Sequence, residues 1–466
     1  MSGKLNQLTL KQVLTGLRNK KFSRAELYQD IFESIATNNS ELNAYLTFAK
    51  KIDDLKLPKK VDELELLGAP LAVKDNYLTV DFPTTAASKV LQNYKPHYES
   101  TVTSKLRQVG AAILGKTNLD AWAHGSSTET SDFGPSKNPR NLAYMPGGSS
   151  GGSAVAVAAN LCPAAIGTET AGSIRQPSAW CGVVGLKPTY GRVSRYGVIA
   201  MGSSLDSPGP ITKTVEDAAI LLKYMAGIDK YDSTSSPEPV ADYPSYLGKS
   251  IKGLKIGIMY SDLPELKEIW PMYEKAFSLL IELGATVEPV KAMDPSYAIP
   301  MYAVIQRAEV SSNLARYDGI RYGQDRSFFG EEGKRRIMIG TYTLSKGYAE
   351  KIYVQAQKVR TLFIKDFERL FEKDDVLATP TSPGFPLKLG DSTKYPYFGE
   401  LMDKLLEPSS MSGLPGINVP IYFDPTTNLP LGMNLIGPAF TEGKLLQVAY
   451  AYEQAAGINE WLKNEL

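Results

Sequence analysis

Histidine is scarce in this 466-residue sequence, which contains only His97 and His124. The segment Gly147–Gly151 fits the G-x-S-x-G pattern of a nucleophile elbow, whose hydrolases carry serine, acid and histidine in that order. Both histidines precede Ser149, so this kind of triad is excluded and an activated serine needs another base. With no second histidine near it, His124 does not indicate a metal site either, and we predict none.

Cysteine is equally scarce, and the sequence has no marked charge excess and no long apolar run. Cys162 and Cys181 lie in small apolar stretches that suit reduced, buried thiols better than a disulfide framework. The formal net charge of +1 gives no large polyanion-binding face by itself. No apolar run approaches membrane-spanning length, and Met1–Lys4 does not open a signal peptide. We therefore expect a soluble cytoplasmic protein without a membrane partner.

Glycine and serine, by contrast, are concentrated in two clusters. One lies at residues 147–153 (GGSSGGS) and the other at residues 171–173 (AGS), with a run of small apolar residues between them. Glycine frees φ and removes the Cβ, so backbone N–H groups can converge on a developing oxyanion, and serines at such turns are candidate nucleophiles. Either cluster alone is explained equally well by a glycine-rich turn that lets a small-residue helix pack closely.

Lys74 is a candidate for the base that the histidines do not supply. It follows Pro70–Val73, a short apolar run that predicts a buried strand ending in the interior. A lysine accepts a proton only when it is neutral, which requires burial or crowding by other donors. A serine activated by lysine is therefore the chemistry that these residues can support.

These segments together resemble the amidase signature family. The resemblance rests on the Lys74 strand, the first serine cluster, and Ser173 followed by Ile174–Pro177; Ser149 lies 75 residues after Lys74, and Ser173 lies 24 residues after Ser149. It implies that Ser173 is the acylated nucleophile, that Ser149 is a bridging serine after a cis peptide bond, and that Lys74 is the terminal base. The implied oxyanion hole consists of backbone N–H groups of Thr170, Ala171, Gly172 and Ser173.

The resemblance covers roughly residues 8–455 and implies a fold of the α/β class. We expect a single amidase domain, residues 1–466, in which a large mixed, mostly parallel twisted sheet lies between helical layers. Apolar periodicity predicts N-terminal helices over about residues 8–38 that pack on the core. Strand–helix–strand alternation over residues 254–290 predicts a parallel pairing, and the polar residues 228–253 predict a surface excursion.

Two later segments, Ser311–Gly323 and Gln355–Phe363, resemble one branch of the family, the A subunits of glutamyl-tRNA(Gln)/aspartyl-tRNA(Asn) amidotransferases. The resemblance implies that Arg360 and Tyr322 hold a glutamine substrate, and that Gly125–Ser126 closes over its amino and carboxylate groups. A guanidinium suits a bidentate grip on a carboxylate. Without the resemblance, a residue of a surface salt bridge is the alternative interpretation of Arg360.

That branch implies a particular division of labour. The chain would hydrolyse glutamine through an acyl-serine and deliver ammonia for conversion of Glu-tRNA(Gln), Asp-tRNA(Asn) or both to the amide form. It would act in a heterotrimer with B and C subunits, in which the B subunit binds most of the tRNA, while ATP and Mg²⁺ are held by a partner. Two alternatives stay open: a stand-alone amidase for a small or aryl amide, and a non-catalytic scaffold, which would have no need of the catalytic residues.

Gly110–Thr117 fits the P-loop formula G-x-x-x-x-G-K-[ST], but its context argues against nucleotide binding. A phosphate-binding loop must follow a strand and open a helix. Here Val102–Val109 predicts a helix and Ala111–Leu114 a buried strand, which is the reverse order. We therefore predict no cofactor on this chain.

Two features depart from the family pattern. Most members carry Asp-Thr-Gly-Gly before the nucleophile, whereas this chain has Glu169-Thr170-Ala171-Gly172, in which Ala171 is tolerated if its φ is negative. The family's acid for the substrate amine precedes a Gly-Leu-Pro turn, which we compare with Thr427–Pro430 of this chain. The nearest acid to that segment is Asp424, so recognition of the amine can differ here.

Overall fold

One sheet runs through the part of the chain that the structure describes, a computed structural model covering residues 4–321 and 323–458. Its eleven strands are β1 (Tyr45–Phe48), β2 (Pro70–Lys74), β3 (Ala112–Thr117), β4 (Ala164–Glu169), β5 (Val184–Lys187), β6 (Ser207–Thr212), β7 (Lys255–Ile258), β8 (Thr286–Pro289), β9 (Val376–Pro380), β10 (Gly416–Phe423) and β11 (Pro430–Ile436).

Thirteen α-helices accompany the sheet within the same described ranges. They are α1 (Leu10–Arg18), α2 (Arg24–Leu42), α3 (Thr101–Gln108), α4 (Gly151–Ala158), α5 (Arg175–Cys181), α6 (Val215–Met225), α7 (Trp270–Glu282), α8 (Ala298–Leu314), α9 (Glu331–Thr343), α10 (Val354–Phe371), α11 (Phe398–Asp403), α12 (Glu407–Met411) and α13 (Glu442–Ala455). Over the described residues, none of these helices has both the length and the apolar character needed to cross a bilayer.

The strands lie side by side in the order β1-β3-β2-β4-β6-β5-β10-β11-β9-β7-β8. Four neighbouring pairs are parallel, namely β2–β3, β2–β4, β7–β8 and β7–β9. The other six, β1–β3, β4–β6, β5–β6, β5–β10, β10–β11 and β9–β11, are antiparallel. The predicted α/β fold with a large mixed sheet is confirmed, but the expectation that the sheet is mostly parallel is wrong.

The difference follows from how the strands are connected. The unit at residues 254–290 forms as predicted, because α7 joins β7 to β8 and Lys255 pairs in parallel with Thr286. A helical crossover of this kind gives parallel neighbours, whereas a short return gives antiparallel ones. Only residues 424–429 separate β10 from β11, and these strands form a hairpin. The parallel pairing of β7 with β8 therefore does not predict the direction in which the central strands pair.

The strand that carries the candidate base, β2, and its two neighbours, β3 and β4, are covered on both faces. Every residue of β2, β3 and β4 is buried, which explains their nearly continuous apolar sequences. Lys74 is the last residue of β2 and is fully buried. The P-loop-like segment is a helix–strand unit, since α3 precedes β3. Its Lys116 is also fully buried, with Nζ 2.9 Å from Asp75 Oδ1, so this amine is not available to a phosphate.

The N-terminal helices pack on the largest buried cluster of apolar side chains. Ser23 and Glu26 form a reciprocal capping box at the start of α2, as the sequence predicts. At the start of α1, the Asp217 carboxylate accepts the backbone N–H groups of Leu10 at 3.0 Å and Lys11 at 2.8 Å. This carboxylate links α1 to α6. Residues 228–253 contain one short 3₁₀ turn, Tyr243–Tyr246, in otherwise irregular chain.

Candidate active site

The candidate catalytic residues meet where β2 and β4 end. These strands pair in parallel, so their carboxyl ends lie at the same edge of the sheet. Lys74 ends β2, and the loop after β4 carries Ser173 to the start of α5. Ser149 and Ser150 immediately precede α4, which packs on β4. The sheet topology thus brings together three segments that are distant in sequence.

The amine of Lys74 lies at the centre of this arrangement. Its Nζ is 2.8 Å from Ser149 Oγ, 2.8 Å from Ser150 Oγ and 3.2 Å from the carbonyl oxygen of Thr168. Lys74, Ser149 and Ser150 are fully buried. Lys74 and Ser149 are therefore in direct hydrogen-bond contact, and Ser150 makes a further contact that the sequence does not indicate.

Burial governs the electrostatics of the Lys74 amine. Removal from water lowers the pKa of Lys74 to about 7, although the negative charges of Asp120, Asp206 and Glu169 act in the opposite direction. A lysine with such a pKa is about half neutral at neutral pH, so it can accept a proton there. The structure thus meets the requirement that a lysine base must be desolvated.

Ser173 lies beside Ser150 and, unlike the fully buried Lys74 and Ser149, is 6% exposed. Its carbonyl oxygen accepts the backbone N–H of Ser150 at 3.1 Å, and the peptide bond between Gly148 and Ser149 is cis, as the resemblance implies. Among the described residues, its hydroxyl makes no direct hydrogen bond to Ser149 or Lys74. Catalytic hydrogen bonds often tighten only when substrate is bound.

The predicted oxyanion loop connects β4 to α5. Ala171 does not have a positive φ, so its methyl group carries no backbone penalty, and it is buried. A Cβ at Gly172 would overlap the carboxylate of Asp403, so only glycine fits this close approach. The departure at position 171 is therefore compatible with the loop, whereas position 172 requires glycine.

A buried ion pair holds the far end of this loop. Glu169 Oε2 accepts the backbone N–H groups of Ile174 and Arg175, both at 3.1 Å, and Glu169 Oε1 lies 2.5 Å from Arg175 Nη2. Arg175 Nη2 also donates to Ser410 Oγ at 2.8 Å, and the Ser410 hydroxyl donates to the carbonyl of Ala171. Glutamate in place of the family's aspartate thus fixes both the start of α5 and the loop before it.

The acid that faces the site is Asp403 and not Asp424. One oxygen of the buried Asp403 carboxylate accepts the hydroxyl of Ser126 at 2.6 Å, and the other faces Gly172 and has no hydrogen-bond partner among the described residues. Asp424 lies in the turn between β10 and β11, where its carboxylate accepts the N–H of Thr427 at 2.7 Å. The Asp424 carboxylate is therefore engaged in stabilising its own turn.

The sequence holds a signal for Asp403, although we compare the wrong segment with the family turn. The only Gly-Leu-Pro sequence in the chain is Gly413–Pro415, which directly precedes β10 and follows Asp403 by one short helix. Counting back from Gly413–Pro415, and not from Thr427–Pro430, meets two acids, first Glu407 and then Asp403, and of these Asp403 is bonded to Ser126. Burial raises the pKa of Asp403 well above that of an ordinary carboxyl group, and the bond from Ser126 opposes this shift.

The other residues predicted to bind substrate are Gly125 and Ser126, which lie in one loop, and Arg360 and Tyr322, which lie later in the chain. Gly125 and Ser126 line a cavity of about 680 Å³. Arg360 donates from Nε to the carbonyl of Met411 at 2.6 Å and through its other nitrogens to Ser204, and it makes no ion pair with a described residue. Burial lowers the pKa of Arg360. Tyr322 lies outside the described residues.

Asp120 is a second site residue that sequence reasoning misses. Its carboxylate accepts the backbone N–H groups of Ser127 at 3.2 Å and Thr128 at 2.9 Å, which shapes the loop that begins at Gly125. Its own N–H donates to the carbonyl oxygen of Ser149 at 3.3 Å. Because it contacts both segments through backbone groups, no side-chain pattern in the sequence reveals it.

The fold and the buried lysine–serine contact define an amidase. A family model described as Amidase matches residues 24–446, and the chain belongs to this family. It is 47% identical over 468 residues to the A subunit of the glutamyl-tRNA(Gln) amidotransferase of Halothermothrix orenii, a match that covers 97% of this chain and 98% of that protein. The protein of the same name from Microcystis aeruginosa is 45% identical over 481 residues, with coverage of 98% and 99%.

Solved structures give the same result. The crystal structure of the A subunit of glutamyl-tRNA(Gln) amidotransferase from Thermotoga maritima matches with a TM-score of 0.83 and 40% identity, covering 97% of this chain and 95% of that one. The native peptide amidase from Stenotrophomonas maltophilia matches with a TM-score of 0.81 and 28% identity, covering 96% and 97%. A peptide amidase and a component of an amidotransferase therefore share this fold.

Proposed function

We propose that this chain is the glutaminase subunit of a tRNA-dependent amidotransferase and that it hydrolyses glutamine through an acyl-Ser173 intermediate. The observation that carries the proposal is the buried amine of Lys74, which lies 2.8 Å from Ser149 Oγ at the sheet edge where Ser173 precedes α5. A buried, readily neutralised amine in contact with a serine is the arrangement that a lysine base requires.

The chemistry proceeds in two halves. Ser173 Oγ attacks the side-chain amide carbon of glutamine, and its proton passes through Ser149 to neutral Lys74 while the loop N–H groups stabilise the oxyanion. The C–N bond then breaks, the leaving nitrogen receives the proton back from Lys74 through Ser149, and ammonia departs. Water attacks the resulting ester in the same way and releases glutamate, which restores the Ser173 hydroxyl.

Asp403 and Arg360 supply groups that suit the two charges of an amino-acid substrate. The unpartnered oxygen of the buried Asp403 carboxylate is suited to an ammonium group, because a buried carboxylate is stabilised by a cationic partner. Arg360 has five N–H donors, and the three bonds that it makes to Met411 and Ser204 leave two for a carboxylate. Tyr322 joins this proposal through the family resemblance alone.

The proposal places the amide-forming step on partner proteins. Relatives 44–47% identical to this chain are named as A subunits of glutamyl-tRNA(Gln) amidotransferase, which implies further subunits. We propose B and C subunits, tRNA bound mainly by the B subunit, and ATP with Mg²⁺ on a partner, all in the cytoplasm. Aspartyl-tRNA(Asn) is a further candidate acceptor.

A direct assay distinguishes glutamine hydrolysis from the alternative of a stand-alone amidase. The purified chain, with and without co-purified partners, would be supplied with glutamine, asparagine or benzamide, and ammonia release would be measured. We expect glutamine to be preferred and the partners to increase its turnover. Faster hydrolysis of benzamide, unaffected by partners, would favour the stand-alone amidase, as would failure of glutamine to compete with it.

Replacing Asp403 with asparagine should raise the KM for glutamine about 30- to 150-fold, because the substrate ammonium loses a charged partner worth about 2–3 kcal/mol. The rate of benzamide hydrolysis, if any is measurable, should change much less, since benzamide carries no ammonium. Asp424→Asn is the matched control and should leave the KM unchanged. A normal KM in Asp403→Asn, or a raised KM in the control, would contradict the assignment of Asp403.

A further inference from the structure

The Lys74 amine has three polar neighbours, and only one of them is a member of the predicted catalytic set. Besides Ser149 Oγ, its Nζ contacts Ser150 Oγ at 2.8 Å and the carbonyl oxygen of Thr168 at 3.2 Å. The protonated amine has three N–H groups and can donate to all three neighbours. The catalytic form has lost one proton, so one of these contacts must reverse its direction.

The hydrogen-bond inventory decides which contact reverses. The Thr168 carbonyl has no proton to donate, so it accepts from Lys74 in both states. The Ser150 hydroxyl has one proton, and it points to the same carbonyl at 3.1 Å, so Ser150 Oγ faces Lys74 as an acceptor. Only the Ser149 hydroxyl is left to donate to the lysine nitrogen.

We infer that Ser150 is a positioning residue that keeps the lone pair of neutral Lys74 directed at Ser149. The inference rests on the proposed function, because it concerns the same proton relay. With both N–H groups of the neutral amine held by Ser150 and Thr168, the lone pair can face only the Ser149 hydroxyl. The Ser149 oxygen is then free to accept the proton of Ser173, which gives the relay its direction.

Ser150 contacts Lys74 through its side chain and Ser173 through its backbone, so the two contacts can be tested separately. Its N–H donates to the carbonyl oxygen of Ser173 at 3.1 Å, and this bond survives replacement of the side chain by alanine. Ser150→Ala therefore removes one acceptor from Lys74, together with the bonds of that hydroxyl to the backbone of Thr168, and leaves the nucleophile's backbone anchored. Residue 153, one turn later in α4, is also a fully buried serine, but its hydroxyl bonds to Thr117 Oγ1 at 2.6 Å and makes no contact with Lys74.

Three carboxylates influence the charge of Lys74 from neighbouring segments, namely Asp120, Glu169 and Asp206. Each of them is bonded to other groups, and among the described residues none is hydrogen bonded to the Lys74 amine. None of these bonds involves the Ser150 hydroxyl, so its removal leaves the three charges in place. A change in the titration of Lys74 in Ser150→Ala would therefore report the lost hydrogen bond.

The test measures how fast a fluorophosphonate modifies Ser173 between pH 5.5 and 9, by intact-protein mass spectrometry. The reaction forms a bond from Ser173 Oγ to phosphorus and releases fluoride, while the serine proton passes through Ser149 to Lys74. In Ser150→Ala we expect the plateau rate to fall at least about tenfold because the lone pair is no longer held. The midpoint of the acid limb should move about half a unit lower, since an ammonium loses more than a neutral amine when an acceptor is removed.

The outcomes are separable. A lower plateau with an unchanged or raised midpoint would indicate a merely structural role and overturn the inference, as would an unchanged plateau. Ser153→Ala should match the wild type in plateau rate and in midpoint. If Ser153→Ala also showed a lower plateau rate and a lower midpoint, the inference about Ser150 would be overturned. If the wild type reacts at Ser173 but does not hydrolyse glutamine, the glutaminase proposal fails and the inference stands. An unreactive Ser173 would overturn both.

Discussion

Replacing Lys74 with arginine should abolish glutamine hydrolysis about as completely as replacing it with alanine. Both variants should lose about 10³- to 10⁴-fold in kcat, which is the upper range for removal of a general base. Arginine keeps the positive charge but cannot be deprotonated in a protein, so it cannot accept the proton of Ser149. In the wild type, hydrolysis should rise with pH through about 7 as Lys74 becomes neutral, and this acid limb should be absent from the arginine variant.

Lys187→Arg is the matched control for this experiment. Lys187 is 1% exposed, and burial lowers its pKa to about 7, as for Lys74, but its Nζ donates to the carbonyl of Pro188 and makes no hydrogen bond to a serine among the described residues. The Lys187→Arg variant should hydrolyse glutamine at the wild-type rate once that rate is divided by the folded fraction. A thermal melt of the same sample gives the folded fraction. Substantial activity in Lys74→Arg would mean that Lys74 acts only through its charge, and an equal loss in both variants would point to general damage.

Features that depend on residues close in sequence can be predicted well. The capping box of Ser23 and Glu26, the buried strand before Lys74 and the reversed P-loop context each depend on a short local pattern, and each is present in the structure. The contact between Lys74 and Ser149 bridges 75 residues, and here the family resemblance supplied the distance information that local patterns lack.

Features that depend on how distant segments meet could not be predicted in the same way. The bond from Ser126 to Asp403 links residues 277 positions apart, and no periodicity indicates it. Ser150 stands beside Ser149 in one glycine-serine cluster, and only its hydrogen bonds distinguish its role. The direction of the central strands likewise depends on their connections and not on their apolar content, which is why the sheet contains more antiparallel pairs than we expected.

Loss of the nucleophile should have the largest effect and should also separate the two chemistries of the proposed complex. Ser173→Ala should lower glutamine hydrolysis by about 10⁴-fold or more, because no acyl intermediate can form. The reconstituted complex carrying this variant should therefore fail to amidate misacylated tRNA with glutamine. It should still amidate the tRNA when ammonium salt replaces glutamine, since the ATP-dependent step lies on a partner. Formation of amidated tRNA would be followed by separating the aminoacyl products.

Two further arms make this result decisive. The Ser153→Ala complex should use glutamine normally, because this buried serine is bonded to Thr117 and contacts no member of the relay. The isolated wild-type chain should form no amidated tRNA with either nitrogen source, because the activating step requires its partners. An assembled Ser173→Ala complex that ammonium cannot rescue would argue against two separate sites. Amidation by the isolated chain would rule out the proposed division of labour, since ammonia production and amide formation would then reside in one protein.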